Sequence, residues 1–90
     1  MKMKYLIVDN AGSMGSTDGP IMFPEYETHS RVADLYAGGK KHVLSAGFIC
    51  IWSGNCGEIE VRCFGKSVSL GIASRPEADS AMVRRALNGE

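Results

Sequence analysis

Net charge is the first thing this sequence lacks: ten lysines and arginines are matched by ten aspartates and glutamates. A dedicated DNA or RNA binder normally carries a visible basic excess, so the balance argues against either partner. Long apolar runs are missing as well. None approaches the ~20 residues of a membrane helix, and the apolar part of the opening MKMKYLIV is too short for an export signal. Cysteine is sparse and odd in number. Cys50, Cys56 and Cys63 follow a C-x5-C-x6-C spacing, unlike a zinc knuckle, whose ligands pair closer together. The expectation is a cytoplasmic protein with no membrane attachment, its thiols reduced and serving as small core residues.

What remains is an ordinary globular composition, 44% hydrophobic and 22% charged with only three prolines, so a packed core is expected. Ninety residues fit a single domain, 1–90, and leave little room for a second.

Tyr5-Leu6-Ile7-Val8 has the continuous apolar character of a strand buried on both faces. Residues 10–20, NAGSMGSTDGP, are rich in turn formers and make a long connection. A short extended piece, IMFPE, follows, with Pro24 placing it at a sheet edge. Val32, Leu35, Tyr36, Gly39 and Val43 then recur at helical spacing behind two candidate N-caps, Thr28 and Ser30. Gly38 and Gly39 each cost that helix about 1 kcal/mol. It either stops there or crosses the weak point to end near Gly47, and the longer form is preferred.

GFICIW reads as a strand and SGNCG as a tight connection. EIEVRCF alternates, with Ile59, Val61 and Cys63 on one face. SVSLGI repeats the pattern. A two-residue turn at Gly65-Lys66 would pair Cys63 with Val68, Val61 with Leu70 and Ile59 with Ile72, all apolar on apolar. Ser74-Arg75-Pro76-Glu77 has the form of a capping box. It opens a helix packed through Ala78, Met82, Val83, Ala86 and Leu87, and Gly89 supplies the stop. The class is α/β (α+β): a small mixed sheet of about five strands packed with two helices.

Two places suggest chemistry. Asp9 at the end of the first strand, with Ser13, resembles a D-x-S-x-S magnesium loop, but Ala11 replaces the middle hydroxyl and the chain is too short for the remaining ligands. Neither a metal nor another cofactor is expected. No G-K-[S/T] ends the glycine stretch, which excludes a P-loop. His29, at the helix start, is the stronger candidate. A neutral imidazole there can act as base or nucleophile, although a histidine at such a position also serves as a cap or surface residue. His42, flanked by Lys40 and Lys41, belongs on a solvated face.

Several stretches together resemble the Janus–ocnus family, the phosphohistidine phosphatases. They are Lys4-Tyr5 opening the first strand, Glu27-Thr28-His29 before the helix, SGNCG after GFICIW, and IEVRCFGKSVSLG with its Phe-Gly-x-Ser and second glycine. The resemblance implies that family's fold and a metal-independent activity on phosphohistidine or a related phosphoramidate. It makes His29 the catalytic group, gives Lys4 a charge-balancing role toward phosphate, and puts Ser67 and Ser69 in the stretch that cradles it. The partner would be a phosphorylated protein or small phosphorylated ligand. It also implies a strand that bends at Gly65, against the hairpin read from the alternation. A non-catalytic phosphate- or protein-binding module on the same fold is the alternative.

Overall fold

The computed structural model describes residues 2–9 and 19–89. Ser13 and residues 10–18 of the glycine-rich connection lie outside them; its last two residues, Gly19 and Pro20, are strand and not loop, paired with Val8 and Ile7. Four strands form one antiparallel sheet: β1 (Lys2–Val8), β2 (Gly19–Phe23), β3 (Val43–Ser53) and β4 (Ile59–Phe64), in the order β2-β1-β3-β4. Two short strands, β5 (Lys66–Ser67) and β6 (Ile72–Ala73), pair separately. Two helices complete the α+β fold. The first, α1 (His29–Val32), runs on through a wide π turn to Ala37, and the second is α2 (Pro76–Leu87).

Strand β1 is central, and its middle has water on neither side: Tyr5, Leu6 and Ile7 are fully buried. Alternation sends Leu6 and Val8 toward α1, where they pack with Phe23, Val32, Ala33 and Ala46. Tyr5 and Ile7 point toward α2 and meet Ile49, Val61, Cys63 and Val83. The sheet therefore separates two apolar layers, one under each helix. Burying a side chain such as Val83 in this way contributes about 1.5–3 kcal/mol.

Thr28 is the N-cap of α1, its hydroxyl accepting from the Arg31 amide at 3.2 Å. The helix does not cross to Gly47. Gly38 and Gly39 take φ of 76° and 110° and break it, and Lys40–His42 make one tight turn before β3 begins at Val43. The apparent helical spacing misled because Leu35 and Tyr36 lie exposed, while Val43 belongs to the sheet core.

The expected hairpin is also replaced. β4 pairs with β3, Val61 opposite Ile51 and Cys63 opposite Ile49. At Gly65 (φ 76°) the chain turns out of the sheet, so the bend prevails over the two-residue turn. Val68, which the hairpin would have buried against Cys63, is 86% exposed. The chain crosses close above Gly47, where a Cβ would stand 2.4 Å from the Phe64 carbonyl oxygen; only glycine fits.

Helix α2 starts with Pro76 in its first turn and ends at Leu87, with Gly89 (φ 76°) just past its C-cap Asn88. Its cap differs from the expected box. Ser74 turns away, donating to the Gly65 carbonyl at 2.7 Å, and Asp79 rather than Glu77 accepts from the Arg75 amide, at 2.9 Å. The buried side is centred on Asp79 and Val83, with Met82 and Leu87 beside them, while Ala78 and Ala86 are exposed. Cys63 alone of the three thiols is a buried core residue; Cys50 is half-buried and Cys56 exposed. No helix among the described residues is long and apolar enough to cross a membrane.

Candidate functional site

Register places Lys4 on β1 between Phe23 of β2 and Phe48 of β3, in one row across the α1 face of the sheet. His29, the first residue of α1, lies against that row. Its ring is edge-on to Phe23 at 5.3 Å and to Phe48 at 6.1 Å between centroids, and it is only 3% exposed. The nitrogen Nε2 sits 2.9 Å from the Gly47 carbonyl oxygen. A carbonyl can only accept, so Nε2 carries the hydrogen, and in the neutral ring Nδ1 holds the lone pair.

The bend at Gly65 brings the third part of the site. From Ser67 to Gly71 the chain makes a closed turn: the Gly71 amide donates to the Ser67 carbonyl at 2.9 Å and the Leu70 amide to the Ser67 hydroxyl at 3.1 Å. Ser69 at the tip accepts from the Ser30 amide at 3.3 Å, which ties the turn to the start of α1. A cleft of about 340 Å³ results, lined by Lys4, Thr28, His29, Phe48, Lys66 and Ser69 among others. Lys4, His29 and Ser69 thus line one cleft, as three distant segments converge. Ser67 does not join them: fully buried, it holds the turn from behind, 3.4 Å from the Ser69 hydroxyl.

The electrostatics of the cleft favour an anion. Lys4 and Lys66 line it with no acidic side chain, and the Lys4 ammonium is aimed by its bond to the Glu27 carbonyl at 2.7 Å. Burial lowers the tendency of His29 to protonate; its bond to Gly47 works the other way, and Lys4 adds to the lowering. The ring is therefore neutral at pH 7. A second, larger groove of about 430 Å³ lies between β2 and α1, but its charged residues Glu27 and Arg31 pair with each other at 3.4 Å. It offers no comparable convergence of polar groups. Among the described residues no three His, Cys, Asp or Glu side chains come together as a metal site.

The depressed basicity of His29 has a consequence for stability. The unfolded chain protonates near 6.5 and the folded one lower, so the unfolded state binds more protons below that point. Stability contributed by neutral His29 is full above about pH 6.5 and is lost as pH falls toward the folded value. Urea unfolding at pH 7.5 and 5.5 is expected to show a larger loss for wild type than for His29→Gln. The bound is about 1.4 kcal/mol per pH unit. Equal losses in the two proteins would contradict the assignment.

The sequence reading missed a buried polar cluster on the other face. The carboxylate of Asp79, fully buried, accepts from the Tyr5 hydroxyl at 2.5 Å, the Ser45 hydroxyl at 2.9 Å and the Arg75 amide, and its Oδ1 meets the Arg75 guanidinium at 3.1 Å. Burial and the neighbouring Asp79 push the Tyr5 phenol far above its usual range, and burial raises the Cys63 thiol. Both stay protonated, so this is a structural clamp joining α2 to β1 and β3. The signal was an aspartate four residues before Val83 on the packed side of α2. Comparison with known protein families, with curated proteins and with solved structures returned no match.

Proposed function

We propose that the cleft receives a phosphoryl group and that the protein is a small metal-independent phosphatase of Janus–ocnus type, acting on phosphohistidine or a related phosphoramidate. The observation that carries this reading is the meeting of Lys4, His29 and Ser69 in one cleft free of acidic side chains. The bend at Gly65 and the closed Ser67–Gly71 turn suit a phosphate-facing loop in the same place.

In this mechanism the Nε2–H bond to Gly47 fixes the ring, and neutral Nδ1 attacks phosphorus or draws a proton from an attacking water. The bond from phosphorus to the substrate nitrogen breaks, and that nitrogen leaves with a proton from solvent. Where phosphorus has bonded to Nδ1, water then releases phosphate and restores the neutral ring. Lys4 and Lys66 balance charge on the phosphoryl oxygens, and the Ser69 hydroxyl donates to one of them. The deep burial of His29 favours a second reading, a phosphate-binding module without turnover.

Incubating the purified protein with phosphoramidate and with a phosphohistidine peptide, without added metal, separates the two. Phosphate release supports the enzyme. Inorganic phosphate that shifts the Lys4, His29 and Ser69 NMR signals together, with no hydrolysis, leaves the binding module. No hydrolysis and no concerted shift removes both.

A further inference from the structure

We propose that the open part of the sheet, beside α1, is a platform for single-stranded nucleic acid. Bases would stack on Phe48, Phe64 and Trp52, and phosphates would meet Lys2, Arg62 and Lys66. Val61 and Cys63 of β4 face α2, so Arg62 and Phe64 face the other way. Register sets Phe64 opposite Phe48, and Arg62 and Lys2 on either side of Cys50, with Trp52 in the next row of that face. The α1 layer covers Leu6, Val8 and Ala46 and touches these rows at Phe48, through the edge of the His29 ring; Lys2, Arg62 and Trp52 are exposed.

A solvated face of an antiparallel sheet is ordinarily polar. This one carries Trp52 at 49% exposure and two half-buried phenylalanines, their rings 5.9 Å apart between centroids and inclined by 26°. Cations are interleaved with the rings. The Lys2 ammonium lies 4.9 Å from the centre of Phe48 and 6.0 Å from that of Phe64. A base can take its place over the ring while the exposed ammonium moves to the adjoining phosphate. Glu60, across from Trp52, pairs with Arg84 of α2 at 3.4 Å, so its charge is offset.

Aromatic faces with cations between them match a strand of unpaired bases, whereas the centre of a protein interface is depleted of charge. Phe48 and Trp52 stand roughly 13 Å apart along β3, too far to share one base, so each would stack on a different one. The neutral charge of the whole chain, which argued against nucleic acid, averages over both faces and conceals this local excess. The proposal does not depend on catalysis in the His29 cleft, although Phe48 and Lys66 border both.

The chain has one tryptophan, so stacking on Trp52 reports directly as fluorescence quenching. Oligouridylate of about ten nucleotides is expected to quench it saturably, with half-saturation in the range of about 1–100 µM at roughly 50 mM salt. With three phosphate contacts the affinity should fall about twentyfold between roughly 50 and 200 mM salt. Phe64→Ala should weaken binding about tenfold. Arg62→Glu, an exposed position that leaves the core intact, should weaken it comparably. Absence of quenching, equal affinity for a duplex of the same length, or insensitivity to both substitutions would overturn the proposal. So would sedimentation showing a dimer whose formation itself buries Trp52.

Discussion

Replacing Asp79 by Ala is expected to cost about 3–5 kcal/mol of stability. The carboxylate is the common acceptor for Tyr5, Ser45 and Arg75. Its removal strands two hydroxyls in a dry layer, each at about 1–3 kcal/mol; Arg75, at its partly exposed position, recovers water. A domain of ninety residues has only about 5–13 kcal/mol in total, so the loss is a large fraction of the whole. Melting followed by far-ultraviolet circular dichroism should fall by about 15–30 °C. Asp79→Asn keeps one acceptor oxygen and should lie between alanine and wild type. Tyr5→Phe removes one donor and leaves the other bonds standing, so it should cost about 1 kcal/mol. A melting point for Asp79→Ala within a few degrees of wild type would mean that apolar packing alone seats α2.

The clamp also reaches the cleft. Arg75 and Asp79 fix the start of α2, and Ser74, one residue earlier, holds the Gly65 carbonyl by both its amide, at 3.0 Å, and its hydroxyl, at 2.7 Å. That carbonyl belongs to the bend from which the Ser67–Gly71 turn hangs. A residue on one face of the sheet thereby steadies the loop that carries Ser69 on the other.

Elements specified by their own residues were legible in the sequence. The unbroken apolar run of β1, the Thr28 cap, the SGNCG turn closed by the Gly54 amide on the Glu58 carbonyl at 2.7 Å, and Pro76 opening α2 all act locally. Choices made between distant segments were not. An apolar partner for Cys63 and Val61 was available from SVSLGI and equally from GFICIW, and alternation cannot rank the two. The longer strand β3 won, and Val68 was left in water. The helix past Gly39 failed for the same reason, because Val43 and Ala46 had a better partner in β1. Asp79 had only its spacing from Val83 as a signal, because a polar residue on a helix reads as solvent-facing until its three partners are brought together. At the cleft, His29, Lys4 and Ser69 were named before any contact between them could be inferred. Ser67 was named with them, and only the folded turn shows that its hydroxyl faces inward.

His29→Gln should abolish turnover of a phosphoramidate substrate while leaving the fold in place. The glutamine amide nitrogen stands the same number of bonds from Cβ as the imidazole Nε2, so it can still donate to the Gly47 carbonyl, now 2.9 Å from Nε2. The edge-on contacts with Phe23 and Phe48 lose a ring but no polar partner. Glutamine has no nitrogen lone pair available at pH 7, and with it goes both nucleophile and base. The expected fall in turnover is at least about 10²–10⁴-fold, the range supplied by a positioned proton-transfer group, with a melting point within a few degrees of wild type above pH 7. Phosphate should still shift the Lys4 and Ser69 signals, because the lysines and the serine that would bind it are untouched. Retention of turnover within about tenfold of wild type would remove His29 from the chemistry and leave it the role of a buried strut between α1 and the Gly47 backbone.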